Sequence, residues 1–457
     1  MLIIRLMQGS SNFRAYDIRG IYGQDLDESV ANNVGKAVGT FAGKGKKIGV
    51  ARDVRLSSKA LHDALVSGIL SSGCDVLDFG EAPTPLLYFG TWHEKLSMGV
   101  MVTASHLPPE WNGFKISGPL GVTLSDGTGL EKIRDIYERH GFTNGQEGKS
   151  TKKDIVKDYI DFVASHVRPA KRFRVAVDFA NSVTSLVVPK LLERLGQTVV
   201  PMNMELDGTS PNRASEPSED SLQGLKKTVL AEKADLGIGY DGDGDRVAFV
   251  DEEGRIFASG NTTIPLFAAK MVRKGRNDKV VVDVTCSSAV SDYIKGIGGE
   301  ALVVRVGHSY CANAVIGNKA LFGGQYSGHL AFPEMNCADD AIFPSMKMLE
   351  ILSTSNKKMS QLIDAIPAYF TSKMVEISCP DSRKFGVMEE IKRKARSMGY
   401  KLIDIDGVLL YDENGRVLIR ASNTAPIIRV NSEGKTEQLR DKFQKIGEKL
   451  VLETIKV

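Results

Sequence analysis

This chain has no long apolar run, no long basic run, no C-x-x-C pair and no low-complexity tract. Each absence removes a class of function. Without a run of about 20 apolar residues nothing reads as a membrane span, and the opening Met1-Leu2-Ile3-Ile4-Arg5 is too short for a signal peptide. With 59 basic against 56 acidic residues, formally +3, neither nucleic acid nor a membrane is expected as a partner. The five cysteines (Cys74, Cys286, Cys311, Cys337 and Cys379) are odd in number and scattered. That suits reduced thiols in a cytoplasmic protein better than a disulfide framework or a zinc site. What remains is an ordinary soluble composition, 25% charged and 42% hydrophobic over 457 residues, long enough for about three domains or more.

Short apolar strands alternate with amphipathic helical stretches. Residues 47–51 (KIGVA), 74–79, 98–103 (MGVMVT), 172–178, 198–201, 280–284 and 301–306 read as strands. Residues 57–71, 153–167, 189–195, 221–232 and 345–353 read as helices. Such alternation predicts α/β domains with mixed, largely parallel sheets. Three segments look like versions of one unit, each a strand ending in a small polar loop: Thr103-Ala104-Ser105, Asp241 to Arg246, and Gly307-His308-Ser309. The stretch from about 366 differs, with long helices expected near 389–398 and 437–450 around paired strands. The expected units are 1–150, 151–254 and 255–365, three related α/β domains, and 366–457, a smaller α+β domain.

The most informative residues are Asp241-Gly242-Asp243-Gly244-Asp245-Arg246, after the apolar strand Leu236 to Tyr240. Carboxylates at i, i+2 and i+4 fall on one side of an extended segment. The intervening glycines let the backbone turn so that the oxygens converge on one hard cation. Mg²⁺ suits such a site, since it takes few protein oxygens and leaves room for a phosphate oxygen. Arg246 adds a fork suited to the same anion. The bland alternative is a solvated acidic turn. An EF-hand is excluded, because Arg246 stands where that loop requires Gly.

Other loops carry further candidates. Ser105 ends an apolar strand in TASHLPPEWNGFKI, with His106 beside it and Lys115 ten residues on; it reads equally as a phosphoryl carrier or as a capped turn. In RASNTAPIIRV, Arg420, Ser422, Asn423, Thr424 and Arg429 supply what a phosphate monoester needs, although an ordinary Ser-Asn-Thr turn fits too. The GGQYSGH loop brings Gln325, Ser327 and His329. His308 lies in GHSY, and Arg19 in the turn Tyr16-Asp17-Ile18-Arg19-Gly20.

Taken together and in order, YDIRG, TASH with NGFK, DGDGDR, GHSY with GGQYSGH, and RASNT resemble the α-D-phosphohexomutases end to end: the phosphomannomutases, phosphoglucomutases and phosphoglucosamine mutases. The resemblance implies four domains around one cleft. It implies an isomerase acting on hexose 1- and 6-phosphates, mannose or glucose phosphates first, through a bound hexose 1,6-bisphosphate that also serves as activator. Ser105 resembles the serine that carries the phosphoryl group, and Asp241, Asp243 and Asp245 the Mg²⁺ ligands, with Ser105 completing the shell. Arg19, His106, Lys115 and Arg246 would surround the transferring group. His308 would act as acid/base or positioning residue. Gln325, Ser327 and His329 would meet the sugar, and Arg420, Ser422, Asn423, Thr424 and Arg429 the non-reacting phosphate. The implied partner is a small sugar phosphate, and the implied assembly a monomer or homodimer.

Four positions depart from the family pattern: Leu107 for an asparagine, Thr285 for a lysine, Gln325 for a glutamate and Ala425 for a glutamate. All fall at or near the substrate loops, so the transfer chemistry reads as intact while the sugar is open. Phosphoglucosamine mutation, a weakly active sugar-phosphate-binding paralogue and a Mg²⁺-dependent phosphatase are the alternatives.

Overall fold

The computed structural model describes residues 12–422 and 426–456. Asn423, Thr424 and Ala425 therefore lie outside the described residues.

The first unit is a six-stranded sheet. Its elements are β1 (Ile18–Ile21), α1 (Glu28–Ala42), β2 (Lys47–Arg52), α2 (Ser58–Ser71), β3 (Asp75–Glu81), α3 (Thr84–His93), β4 (Met98–Val102), β5 (Trp111–Ser117), α4 (Leu130–Glu138) and β6 (Ser150–Lys152). The sheet order is β1-β5-β4-β2-β3-β6. Along β2 and β4 the side chains alternate between two cores. Val50, Val100 and Val102 join Val34 of α1 and Leu61 of α2, while Ala51 and Met101 join Leu86 and Phe89 of α3. Buried on both faces, these strands read as continuous apolar runs rather than as alternating ones.

The second unit runs α5 (Val156–His166), β7 (Arg174–Asp178), α6 (Val188–Arg194), β8 (Thr198–Met202), α7 (Gln223–Glu232), β9 (Leu236–Tyr240), β10 (Val247–Asp251) and β11 (Ile256–Phe257). The third has α8 (Gly260–Met271), β12 (Lys279–Asp283), α9 (Ser288–Gly296), β13 (Glu300–Val304), α10 (His308–Asn318), β14 (Phe322–Gly324), β15 (Leu330–Ala331), α11 (Ile342–Thr354) and α12 (Met359–Ile363).

One pattern recurs in all three: β5-β4-β2-β3, β10-β9-β7-β8 and β15-β14-β12-β13. In each, three parallel strands precede an antiparallel return. The loop at that return is 103–110 in the first unit, 241–246 in the second and 325–329 in the third. The expectation that Gly307-His308-Ser309 holds this place is therefore corrected. That tripeptide follows β13, the counterpart of β3 and β8, and opens α10. The two loops look alike in sequence, since each follows an apolar strand, and only long-range pairing separates them.

The fourth unit comprises β16 (Phe370–Thr371), β17 (Val375–Ser378), α13 (Asp381–Ala395), β18 (Lys401–Ile403), β19 (Val408–Tyr411), β20 (Gly415–Ala421), β21 (Ile427–Gly434) and α14 (Glu437–Ile455). Helix α13 begins eight residues before the expected start. The described pairs of this sheet are antiparallel. One core runs through the first three units, joining Phe89, Val177 and Phe322; the fourth unit has its own around Ile391, Val430 and Phe443. Among the described residues no helix is long and apolar enough to cross a membrane.

Candidate active site

The hairpin loops of the first and second units meet face to face. Ser105 leaves β4 with φ of 54°, a left-handed conformation that costs a non-glycine residue about 1–2 kcal/mol. Its N–H donates to Thr103 Oγ1 at 2.9 Å, and its hydroxyl donates to Asp241 Oδ2 at 2.9 Å. Asp241 Oδ1 accepts the backbone N–H groups of Gly244, Asp245 and Arg246 at 2.9, 3.1 and 3.2 Å. The carboxylate thus shapes its own loop while presenting its other oxygen to the serine.

The three aspartates are buried, and one oxygen from each lies within 4.8 Å of the others. Among the described residues Asp243 Oδ1 makes no hydrogen bond, and Asp245 Oδ1 has only His329 Nε2, 3.5 Å away. Orphaned buried carboxylate oxygens beside a serine hydroxyl fit a hard divalent cation. From β5, Lys115 Nζ reaches Asp243 Oδ2 at 2.6 Å and also pairs with Asp245. Burial opposes its charge, yet these two carboxylates hold the ammonium well above the usual lysine range. Burial, with Asp245 and Asp243 beside it, pushes Asp241 well above the carboxylate range. Burial opposes the charge of Asp245 as well, but the Lys115 ammonium outweighs it and holds that group well below.

Cations ring this centre. Arg19 on β1 pairs with Asp17 at 2.6 Å, and Arg246 Nη1 lies 3.5 Å from Glu216. Burial and the guanidiniums of Arg246 and Arg19 drive His106 down to about 2. It is therefore a neutral ring, 3.3 Å from Ser105 Oγ. Arg246 Nε donates to His329 Nε2 at 3.4 Å, leaving Nδ1 of that ring 2.9 Å from Ser327 Oγ. Burial lowers the pKa of His329, consistent with Nε2 as acceptor. The His329 and His308 rings stack at 5.7 Å, and His308 Nδ1 pairs with Asp339 Oδ2 at 2.7 Å.

Most of the expected residues thus converge; Gln325 stands apart. It is 3% exposed and its side chain lies beside Cys311. Across the cleft, Arg420, Ser422 and Arg429 line a cavity of about 200 Å³ shared with Thr285. Arg420 pairs with Asp406 at 2.9 Å and Arg429 with Glu376 at 3.1 Å. Burial and Asp17 raise the Tyr16 phenol, against the lowering effect of the Arg19, Arg246 and Arg420 guanidiniums. Asn423 and Thr424 fall outside the described residues.

Four domain models for phosphoglucomutase/phosphomannomutase match in order. The alpha/beta/alpha domains I, II and III cover residues 10–144, 157–254 and 259–370, and the C-terminal domain covers 374–446. A phosphoglucomutase/phosphomannomutase of Thermococcus kodakarensis is 36% identical, over 97% of this chain and 99% of its own. This chain belongs to the phosphoglucomutase/phosphomannomutase family. A probable phosphoglucosamine mutase of Thermococcus gammatolerans is likewise 36% identical, over 97% of this chain and 99% of its own. The crystal structure of a Burkholderia thailandensis phosphoglucomutase/phosphomannomutase family protein superposes with a TM-score of 0.90 at 27% identity, covering 98% of each chain.

Several residues of this family member's site escaped sequence reading. Thr84 at the start of α3 donates to Asp243 Oδ2 at 2.5 Å, Asp339 sits behind His308, and Asp53 and Arg55 underlie the serine loop. Only the last pair left a signal: Asp-Val-Arg-Leu-Ser-Ser puts charge directly after the apolar strand β2.

Proposed function

We propose that this mutase interconverts hexose 1-phosphates and hexose 6-phosphates, mannose or glucose phosphates first, by way of a phosphoserine at Ser105. The observation that carries the reading is the Ser105 hydroxyl, 2.9 Å from Asp241 in the face of the buried triad. A hydroxyl oxygen of the bound sugar phosphate attacks the phosphorus of phosphoserine, the bond to Ser105 Oγ breaks, and the hydroxyl proton is taken up. His308 would take that proton at Nε2, with the Asp339 carboxylate 2.7 Å from its Nδ1. The hexose 1,6-bisphosphate then turns, and its other phosphoryl group returns to Ser105 Oγ. Lys115, Arg19 and Arg246 neutralise the transferring group, and the neutral His106 offers a hydrogen bond without repelling it. Asp241, Asp243 and Asp245, with a phosphoserine oxygen, would hold Mg²⁺. When bound, the ion withdraws charge from the phosphoryl oxygens.

Arg420, Ser422, Asn423, Thr424 and Arg429 are assigned to the phosphate that is not reacting, and Ser327 and His329 to the sugar side, with Gln325 supporting their loop from its buried place beside Cys311. We set the unit boundaries near 150, 254 and 365. The reading places the enzyme in the cytoplasm as a monomer or homodimer. The test is a panel of hexose 1-phosphates, glucosamine 1-phosphate among them, assayed with a 1,6-bisphosphate present. Isomer should form, and Ser105→Ala should abolish it. Release of inorganic phosphate instead of isomer would overturn the reading, and undiminished turnover by Ser105→Ala would remove the phosphoserine from it.

A further inference from the structure

Beneath the Ser105 loop lies a guanidinium whose donors are all committed. A guanidinium carries five N–H groups in a fixed plane. Arg55 Nε donates to Asp53 Oδ2 at 3.1 Å. Nη1 donates to the carbonyls of Pro108 at 2.6 Å and Trp111 at 3.0 Å. Nη2 donates to those of Ser105 at 2.8 Å and Leu107 at 2.6 Å. Three carbonyls of the loop and one at the start of β5 thus converge on one side chain, itself 8% exposed. Their dipoles repel one another unless a cation sits among them.

Asp53 ties the clamp to the serine by a second route. Its Oδ2 accepts from Thr103 Oγ1 at 2.7 Å, and Thr103 Oγ1 in turn accepts the N–H of Ser105. Its Oδ1 accepts the N–H of Arg55 at 3.0 Å and Ser58 Oγ at 2.5 Å. Ser105 is accordingly held at its carbonyl by Arg55 and at its N–H by Thr103, in a left-handed conformation that its own sequence disfavours. Only its hydroxyl faces Asp241.

We infer that Arg55, braced by Asp53 and Thr103, is a positioning residue for phosphoryl transfer: it fixes the backbone of the phosphoserine loop so that Ser105 Oγ stays in line with the sugar hydroxyl it exchanges with. Misplacing a reacting group by about 1 Å can cost about 100-fold in rate. Lysine cannot replace it, for a point charge with three donors cannot hold four carbonyls and a carboxylate in one plane.

The inference rests on Ser105 as the phosphoryl carrier, so Ser105→Ala is run alongside. The readout is the single-turnover rate constant for phosphorylation of Ser105 by glucose 1,6-bisphosphate, followed by intact mass. A smaller folded fraction lowers the amplitude of that reaction but not its rate constant. Arg55→Lys should lower the rate constant at least tenfold, and kcat with it, while KM stays within about threefold. Should Arg55→Lys not fold, Thr103→Val, which keeps the shape and removes the acceptor for the Ser105 N–H, should lower the same rate constant at least threefold. Wild-type rate constants in the folded variant overturn the inference. If Ser105→Ala still takes up a phosphoryl group and turns over, the carrier assignment has failed instead.

Discussion

At the scale of single residues, the acidic triad is a site prepared for more positive charge than the protein supplies. Three buried carboxylates face one ammonium, and Asp241 is pushed up by burial and its neighbours. Burial and the neighbouring carboxylates thus oppose the charged form of Asp241 that a metal needs. Mg²⁺ binding should therefore release protons, and affinity should strengthen as pH rises, levelling off above the raised Asp241 pKa. Calorimetry in two buffers of different ionisation enthalpy checks this; identical apparent enthalpies together with a pH-independent affinity would refute it. Asp243→Asn should weaken Mg²⁺ binding at least tenfold at every pH. The triad and the serine were legible in the sequence because their chemistry is local. The partners Thr84 and Asp339 were not, since each reaches the site only through folding. The burial of Gln325 was equally hidden, because the motif gives its neighbours in the chain and not its neighbours in space.

At the scale of elements, the metal loop and the serine loop are packed too closely to tolerate a methyl group. A Cβ on Gly242 would sit 2.7 Å from the Ser105 carbonyl oxygen and would also collide with Ser215 Oγ. The serine hydroxyl can rotate away, but the carbonyl is held by Arg55. Gly242→Ala should cost about 1–3 kcal/mol of stability and lower kcat more than it raises KM, as thermal melts and steady-state rates would show; unchanged kcat would mean that the loops yield. The strands and helices of the α/β units were readable because their apolar runs are strong. The equivalence of 325–329 with the other two hairpin loops was not readable, because strand order is fixed by pairing between segments distant in the chain.

At the scale of the whole molecule, the four-unit plan could be read from the alternation and the motif order, but the sharing of cores could not. Phe89, Val177 and Phe322 belong to one continuous cluster, whereas the fourth unit closes its own. Heating should accordingly give two transitions, one for residues up to about 366 and one for the C-terminal unit. A chain ending near 366 should stay folded, while residues 1–150 alone should not. Calorimetry and limited proteolysis decide this, and a single transition in which the C-terminal unit melts with the rest would overturn it.

The third and fourth units are joined by hydrogen bonds and one small apolar cluster. Arg416 donates to the carbonyls of Val284 and Thr285 at 3.1 and 3.2 Å. Glu433 accepts the N–H of Ser288 at 2.9 Å at the start of α9, and Val284, Leu409 and Leu418 form a small apolar contact. Were the fourth unit to swing on this joint, the stiffness of the joint would set processivity. On the proposed mechanism the bisphosphate leaves one phosphate site and returns reversed before it escapes, so the lifetime of a closed cleft would set how many substrate molecules pass for each charge placed on Ser105. Loosen the joint, and the chemistry at Ser105 stays as fast, but each escape strands an uncharged enzyme that must be primed again from outside.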